Sequence, residues 1–342
     1  MGEKVKSAFS RAGFTLVAGL VGVALLCPLH ETQADPKKEG SGTSLLVLNS
    51  PRIISAEEKA DLWVIDPKPP GLPRNWRVLE RLRASRSGQF SKGQFVSILG
   101  EIRKKYRPVQ FIDVDLRQES HGFLDDYAVS WYSDHNSINW GKTKSEIARA
   151  ESEALHALME HKKGITLSQF ISKKTEDPET TDRVAFWRKK QVRVDPPKKV
   201  MTEQQCVSED PQVMYVRIPV ADMHSPGDRE VDQFIEEMKK VGVDQWVHFH
   251  CSAGRGRTTT FLAMYDIFRN FRKFSLQEIV RRQRDAGGVD LISYSLKHSR
   301  SRNEWAAQRA QFIGEFYKYC QNEGPGGFIK SWSEWKAAQV HE

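Results

Sequence analysis

Apolar and polar positions along the chain follow two periods, and the switches between them outline alternating helices and strands. From Ser91 to Arg107, Phe95, Ile98, Leu99 and Ile102 recur at the spacing of one helix face. The apolar run Val109 to Val114 that follows predicts a buried strand. A second helix is predicted from Ser145 to His161, with Ile147, Ala150, Leu155, Leu158 and Met159 apolar. Between Gly164 and Val200 the pattern changes to short β-prone pieces, Ile165 to Leu167, Arg183 to Trp187 and Gln191 to Val194, separated by charged and proline-rich turns. Met214 to Val220 predicts another strand and Glu230 to Val241 another helix. Trp246 to Phe249 then reads as a strand, followed by a glycine-bearing loop and a helix from Thr258 to Phe271 with Phe261, Leu262, Tyr265 and Phe268 on one side. From Ser275 onward the chain reads as helical. Strands separated by helices imply an α/β fold with a mostly parallel sheet.

The N-terminal stretch fits neither period. Lys4, Lys6 and Arg11 precede an uncharged run from Phe14 to Leu26, and Thr32-Gln33-Ala34 closes it with small residues, so residues 1–34 read as a secretory signal peptide. The apolar run is short for a bilayer span, which argues against a stable membrane anchor. Leu26 before Cys27 is bulkier than a lipid-attachment signal tolerates. Residues 35–60 read as a flexible linker, and the prolines of Trp63 to Pro73 predict an extended lead-in on a domain surface.

Length and charge narrow the picture further. With 342 residues the chain accommodates one large domain, or one domain and a smaller companion. A formal charge of +8 attracts anions. Nucleic acid is set aside, because no binding module and no interleaved aromatic and basic platform is present. Beyond the leader three cysteines remain, Cys206, Cys251 and Cys320. Two of them can pair in an oxidising compartment, and an odd count leaves a thiol.

The loop His250-Cys251-Ser252-Ala253-Gly254-Arg255-Gly256-Arg257-Thr258 carries the chemistry. Gly254 and Gly256 let backbone N–H groups turn inward around a small anion, and the following helix points its positive end at the same spot. Ser252, Ala253, Gly254, Arg255 and Gly256 thus form a phosphate cradle. A cysteine between a strand end and a helix N-terminus is favoured as the thiolate and can attack phosphorus. Arg257 supplies a planar fork for two phosphoryl oxygens. Thr258 can donate its hydroxyl to the thiolate, and His250 can orient the loop from beneath. A leaving alkoxide needs an acid, for which Asp222 is the candidate, in a loop between a strand and a helix. Asp228 competes, or caps that helix. His224 is a candidate phosphate contact or an exposed side chain. His248 and His250 share one strand face, but no third ligand of suitable spacing appears, so no metal or other cofactor is expected.

Taken together, several segments resemble the cysteine phytases, the protein-tyrosine-phosphatase-like inositol polyphosphate phosphatases of bacteria. The likeness runs from about Pro73 to Trp335. It rests on Leu72-Pro73-Arg74-Asn75-Trp76-Arg77, on Val114 to Phe123, on Val129-Ser130-Trp131-Tyr132 and on Asp134-His135-Asn136. Tyr215 to Ile218, the acid loop, Val247 to Cys251, Arg282 to Gly288 and Glu315 to Tyr319 extend it. The resemblance implies a tyrosine-phosphatase-like sheet flanked by helices within residues 61–340, interrupted at about 120–203 by a small partial β-barrel. It implies stepwise dephosphorylation of myo-inositol hexakisphosphate, a polyanionic small molecule, through a phosphocysteine, without metal. On it, Cys251 is the nucleophile, Arg257 the phosphate clamp, Asp222 the general acid and Arg77 a substrate contact. An exported enzyme, periplasmic or extracellular, is expected.

Two loops depart from the family, the phosphate loop at two positions and the acid loop at one. Ser252 stands where an acidic residue is usual and Arg255 where an uncharged one is, and Ser225 replaces a bulky residue in the acid loop. Arg255 suits a polyphosphorylated ring and equally a phosphoinositide, so a phosphoinositide or phosphotyrosine phosphatase is the alternative. Lys297, Arg300, Arg302 and Arg309 are candidates for a basic pocket wall or a solvated face. Gln283 is a candidate for positioning water or for a helix-end role.

Overall fold

The computed structural model describes residues 62–65, 70–132, 136–173, 186–292 and 300–339. The expected leader and linker, Asp134, His135, Arg183 to Ala185, Lys297 and the side chains of Arg300 and Arg302 lie outside the described residues.

One sheet has five strands, β2 (Arg77–Leu79), β3 (Ala84–Ser87), β4 (Phe111–Arg117), β10 (Val213–Val220) and β11 (Trp246–His250), in the order β10-β4-β11-β3-β2. All neighbours are parallel except β2 on β3. Helices cover both faces, which such a sheet requires. Helix α1 (Lys92–Tyr106) and α3 (Glu203–Val207) bring Phe95, Ile98 and Val207 against Phe111, Val213 and Trp246. On the other face α4 (Asp228–Lys239), α5 (Gly256–Asn270), α6 (Leu276–Asp285), α7 (Arg300–Glu323) and α8 (Trp332–Gln339) pack Phe234, Phe261, Ile279, Phe316 and Trp332 over Ile112, Val114 and Phe249.

A second sheet has six strands in the order β8-β7-β1-β6-β5-β9, from β1 (Leu62–Ile65), β5 (His121–Leu124), β6 (Tyr127–Tyr132), β7 (Ile165–Lys173), β8 (Phe186–Val194) and β9 (Val200–Met201). Helix α2 (Lys144–Leu158) lays Leu155 and Leu158 on it. Strands β8 and β9 stand at its two edges.

Two expectations are revised. The Trp63 to Pro73 lead-in is not wholly a surface strap, because Leu62–Ile65 pairs between β6 and β7 and Ile65 is 1% exposed. The separate pieces Arg183 to Trp187 and Gln191 to Val194 give way to the continuous strand β8, paired along its length with β7.

Candidate active site

The loop from Cys251 to Arg255 leaves the carboxyl end of β11, between β4 and β3, and runs into α5. Ligands of open α/β sheets bind at such carboxyl ends. Helices α1, α2, α3 and α6 each begin with a reciprocal capping box, whereas α5 begins at Arg255 with no side-chain cap. Its first N–H groups therefore face the loop without a side-chain acceptor.

The segment around β3 sets the loop's orientation. Arg74 Nη2 donates to Ser252 O at 2.9 Å, Asn75 Nδ2 to Ala253 O at 2.7 Å and Arg86 Nη1 to Gly254 O at 2.8 Å, and the Gln89 N–H also reaches Ser252 O at 3.0 Å. With three successive carbonyls held outside, the cradle is left to N–H groups. Gly254 has φ +66°, and a Cβ there would stand 2.3 Å from Gly88 N, so only glycine fits. Cys251 lies at the base, 3% exposed.

Arg257 is almost fully buried. Its Nη1 and Nη2 donate to Glu119 Oε2 and Oε1 at 2.7 and 2.9 Å, Nη1 also reaches Val220 O at 3.1 Å, and Nη2 is 3.2 Å from Asp222 Oδ1. Its Nε is buried without a hydrogen-bond partner, a donor left for a ligand. The Arg257 guanidinium, then Arg117, overcomes burial and holds the Glu119 carboxyl well below its usual range. Thr258 Oγ1 is also buried and unpartnered, bonding neither to Cys251 Sγ nor elsewhere.

Asp222 stands at the mouth. Its Oδ1 accepts from Met223 N at 3.0 Å and its Oδ2 from Asn136 Nδ2 at 2.8 Å. Met223 and Asn136 adopt left-handed backbone, φ +70° and +54°, a strained choice for methionine. Arg309 Nη1 donates to Met223 O at 2.6 Å, and His224 lies between the rings of Trp140 and Trp305, each 5.2 Å away. The rival Asp228 opens α4 and accepts from Trp332 Nε1 and Lys336 Nζ, so it serves helix packing. Gln283 likewise serves packing, its amide donating to Asp266.

Arginines rim the cradle. Arg255 and Arg77 are exposed, the latter lying across Gly287, and Arg86 is buried beside them. Burial and then Arg77 lower Arg86 to about 10, with Arg255 adding to the effect and Cys251 opposing it. A phosphate there would relieve that repulsion.

Beneath the loop, Asp113, Asp115, His121, Glu203 and His250 are each 0% exposed. They form two groupings with metal-ligand atom types, Asp113 with Glu203 and His250, and Asp115 with His121 and Glu203. Sequence spacing offered His250 no such companions. His250 Nε2 stands 2.6 Å from Glu203 Oε1, a close ion pair too bent for an aligned hydrogen bond. Two ligands of one tetrahedral zinc would stand about 3.3 Å apart, so the contact reads as charge pairing. Both His248 nitrogens are hydrogen-bonded to hydroxyls, Nδ1 with Ser85 at 2.9 Å and Nε2 with Ser87 at 3.1 Å. Burial lowers His250, but Glu203 and then Asp113 outweigh it and raise the imidazole to about 10. Burial leaves the Asp113 carboxyl well above its usual range.

Residues 114–269 match the protein-family model of the PTP-like phytases, described as inositol hexakisphosphate. The tandemly repeated PTP-like phytase of Mitsuokella multacida superposes with a TM-score of 0.68 at 30% identity, over 82% of this chain and 50% of that one. The chain is similar to the PTP-like phytases in sequence and in fold. The Bdellovibrio bacteriovorus PTP-like phytase gives a TM-score of 0.63 at 29% identity, over 80% of this chain and 93% of that one. A Mitsuokella myo-inositol phosphatase in complex with myo-inositol-(1,3,4,5)-tetrakisphosphate matches at 30% identity and a TM-score of 0.68, over 80% of this chain and 48% of that one. The effector protein hopD2 of Pseudomonas syringae is 26% identical over 231 residues, 66% of this chain and 45% of hopD2. The chain thus spans about half the length of the Mitsuokella proteins and less than half of hopD2.

Within this PTP-like phytase fold, Cys251, Arg257 and Asp222 converge, with Arg77, Arg255 and His224 around them. Sequence reasoning named none of Arg86, Gln89, Glu119, Glu203 and Asn136 as site residues. Asp113, Asp115 and Arg117 gave a signal, charges at alternate positions of an otherwise apolar strand.

Proposed function

We propose that the protein is a PTP-like phytase, hydrolysing phosphomonoesters of myo-inositol hexakisphosphate and lower inositol phosphates through a phosphocysteine intermediate. The supporting observation is the buried Arg257 guanidinium, fixed by Glu119 on one side and with Nε free on the other, above a cysteine in a loop whose carbonyls are tied outward. The Cys251 thiolate attacks phosphorus, forming the S–P bond as the P–O bond to the ring breaks. Asp222 gives its proton to the leaving alkoxide. Water then attacks the phosphocysteine, Asp222 takes the water's proton, and inorganic phosphate and the thiolate are released. Arg257 and the N–H groups of Ser252 to Gly256 hold the equatorial oxygens. The Thr258 hydroxyl turns to the sulfur, and His250 supports the loop. Arg77, Arg255 and His224 meet phosphates not being cleaved. The tetrakisphosphate complex of the Mitsuokella relative supports a polyanionic substrate.

Strands β5 to β9 with α2 are read as the module inserted at about 120–203, its sheet completed by β1 from upstream, and the N-terminal sequence as an export signal that leaves no stable membrane anchor. Among the described residues no helix is long and apolar enough to cross a membrane.

Phosphate release from inositol hexakisphosphate, a phosphoinositide and a phosphotyrosine peptide, measured with chelator and reductant present, tests the reading. Inositol hexakisphosphate is expected to be preferred, and Cys251→Ser is expected to abolish turnover while preserving binding. Preference for either other substrate, or an active Cys251→Ser enzyme, overturns it.

A further inference from the structure

One unbroken line of buried side chains joins the two ends of the phosphate loop from beneath. His250, next to the nucleophile, pairs with Glu203 Oε1 at 2.6 Å. Glu203 Oε2 accepts from Gln89 Nε2 at 2.6 Å, and Gln89 Oε1 accepts from Arg117 Nη1 at 2.6 Å. Arg117 Nε donates to Glu119 Oε1 at 2.9 Å, and Glu119 holds Arg257 through two hydrogen bonds. All six residues are 5% exposed or less. The middle of the line also touches the loop, through the Gln89 N–H on Ser252 O.

Resting on the phosphocysteine reading above, we infer that Glu203 and Gln89 are positioning residues that hold His250 and Arg257 in register, so that the sulfur and the guanidinium fork face one phosphoryl group. The chemistry of each link fits the task. Gln89 sits between a carboxylate and a guanidinium, and its amide donates to the first while accepting from the second. A glutamate there would oppose Glu203, and a lysine would oppose Arg117. A buried line of hydrogen bonds ended by an ion pair acts as a unit, because a break anywhere leaves desolvated polar groups along the rest. Glu203 comes from α3 and Gln89 from the segment just after β3, so the line carries the packing of both elements to the loop.

The test uses the full chain with Glu203→Gln, Gln89→Met and the double variant. Each is assayed on inositol hexakisphosphate and on p-nitrophenyl phosphate, whose leaving group needs no acid. Vanadate binding, as a phosphoryl mimic, is measured in parallel. Each single change is expected to lower kcat on both substrates by about ten- to a hundredfold, with KM for inositol hexakisphosphate within threefold, since the rim arginines are untouched. Vanadate affinity should fall at least tenfold. The double variant should lose little more than the worse single one, because either cut opens the same line. Additive losses, or kcat and vanadate affinity within twofold of the parent in the folded variants, overturn the inference. Gln89→Met exchanges neutral for neutral and keeps the question answerable if Glu203→Gln does not fold. A parent that cleaves p-nitrophenyl phosphate but not inositol hexakisphosphate sinks the substrate reading and leaves this one standing. A parent inactive on both substrates sinks the phosphocysteine reading, and vanadate affinity then decides alone.

Discussion

At the scale of single residues, the site separates groups that bind from one that moves a proton. Asp222 is held on three sides, by Met223 N, Asn136 and Arg257. These contacts hold the carboxyl group at the mouth, where in its protonated form it meets the leaving group. Asp222→Asn keeps the size and the acceptor to Asn136 and removes the proton. It is expected to slow release of an alkyl alcohol, as from an inositol phosphate, by about two to four orders of magnitude, while p-nitrophenyl phosphate is slowed tenfold or less. Steady-state rates on the two substrates measure the ratio. Equal losses on both would move the acid elsewhere.

Secondary-structure elements matter because helix α7 and the turn before α2 meet on the acid loop. Helix α7 reaches it through Arg309 on Met223 O, and Trp305 and Trp140 flank His224. Arg309→Met removes that brace, and kcat on inositol hexakisphosphate should fall about tenfold against a twofold change on p-nitrophenyl phosphate. A uniform loss on both would show that Arg309 acts only through rim charge. Most helices and the strands β4, β10 and β11 were legible from periodicity alone, as was the loop between β11 and α5. Strand β3 was not. Its sequence is Ala84-Ser85-Arg86-Ser87, and its buried polar side chains serve His248 and the loop rather than an apolar core. Strands β5 and β6 are short, and their burial depends on β1, which is remote in sequence. Glu203 and Gln89 were invisible for a related reason, since their meaning lies in partners more than a hundred positions apart.

For the whole molecule, the buried charges set a window of stability in pH. His250 is raised from 6.5 to about 10 by Glu203 and Asp113 against burial, and His121 from 6.5 to about 9 by Asp115 and Glu151 against burial and Arg117. A raised imidazole stabilises the fold fully below 6.5, and that contribution is lost as pH climbs through 9 and 10. Glu203 moves the other way, from 4.5 to about 2, where His250 outweighs burial. Its contribution is full above 4.5 and fades as pH falls toward 2. Calorimetric melting should therefore show a plateau between about pH 4.5 and 6.5 and a decline from 6.5 to 10. In Glu203→Gln the alkaline decline should be shallower. A flat Tm across that alkaline range in the parent would mean the imidazoles are neutral.

Strand β1 has a practical corollary for anyone dividing this chain. Its residues come 49 or more positions before the stretch matched by the family model, yet they fill the centre of the six-stranded sheet, between β6 and β7. During synthesis they leave the ribosome first and wait for both neighbours. An expression fragment begun at residue 70, or at the family boundary, would leave two unpaired strand edges facing each other across a gap. Such edges recruit strands from other copies. Soluble fragments therefore need to start upstream of Leu62, and a crystallographer trimming the amino end by family alignment would be removing the sheet's centre.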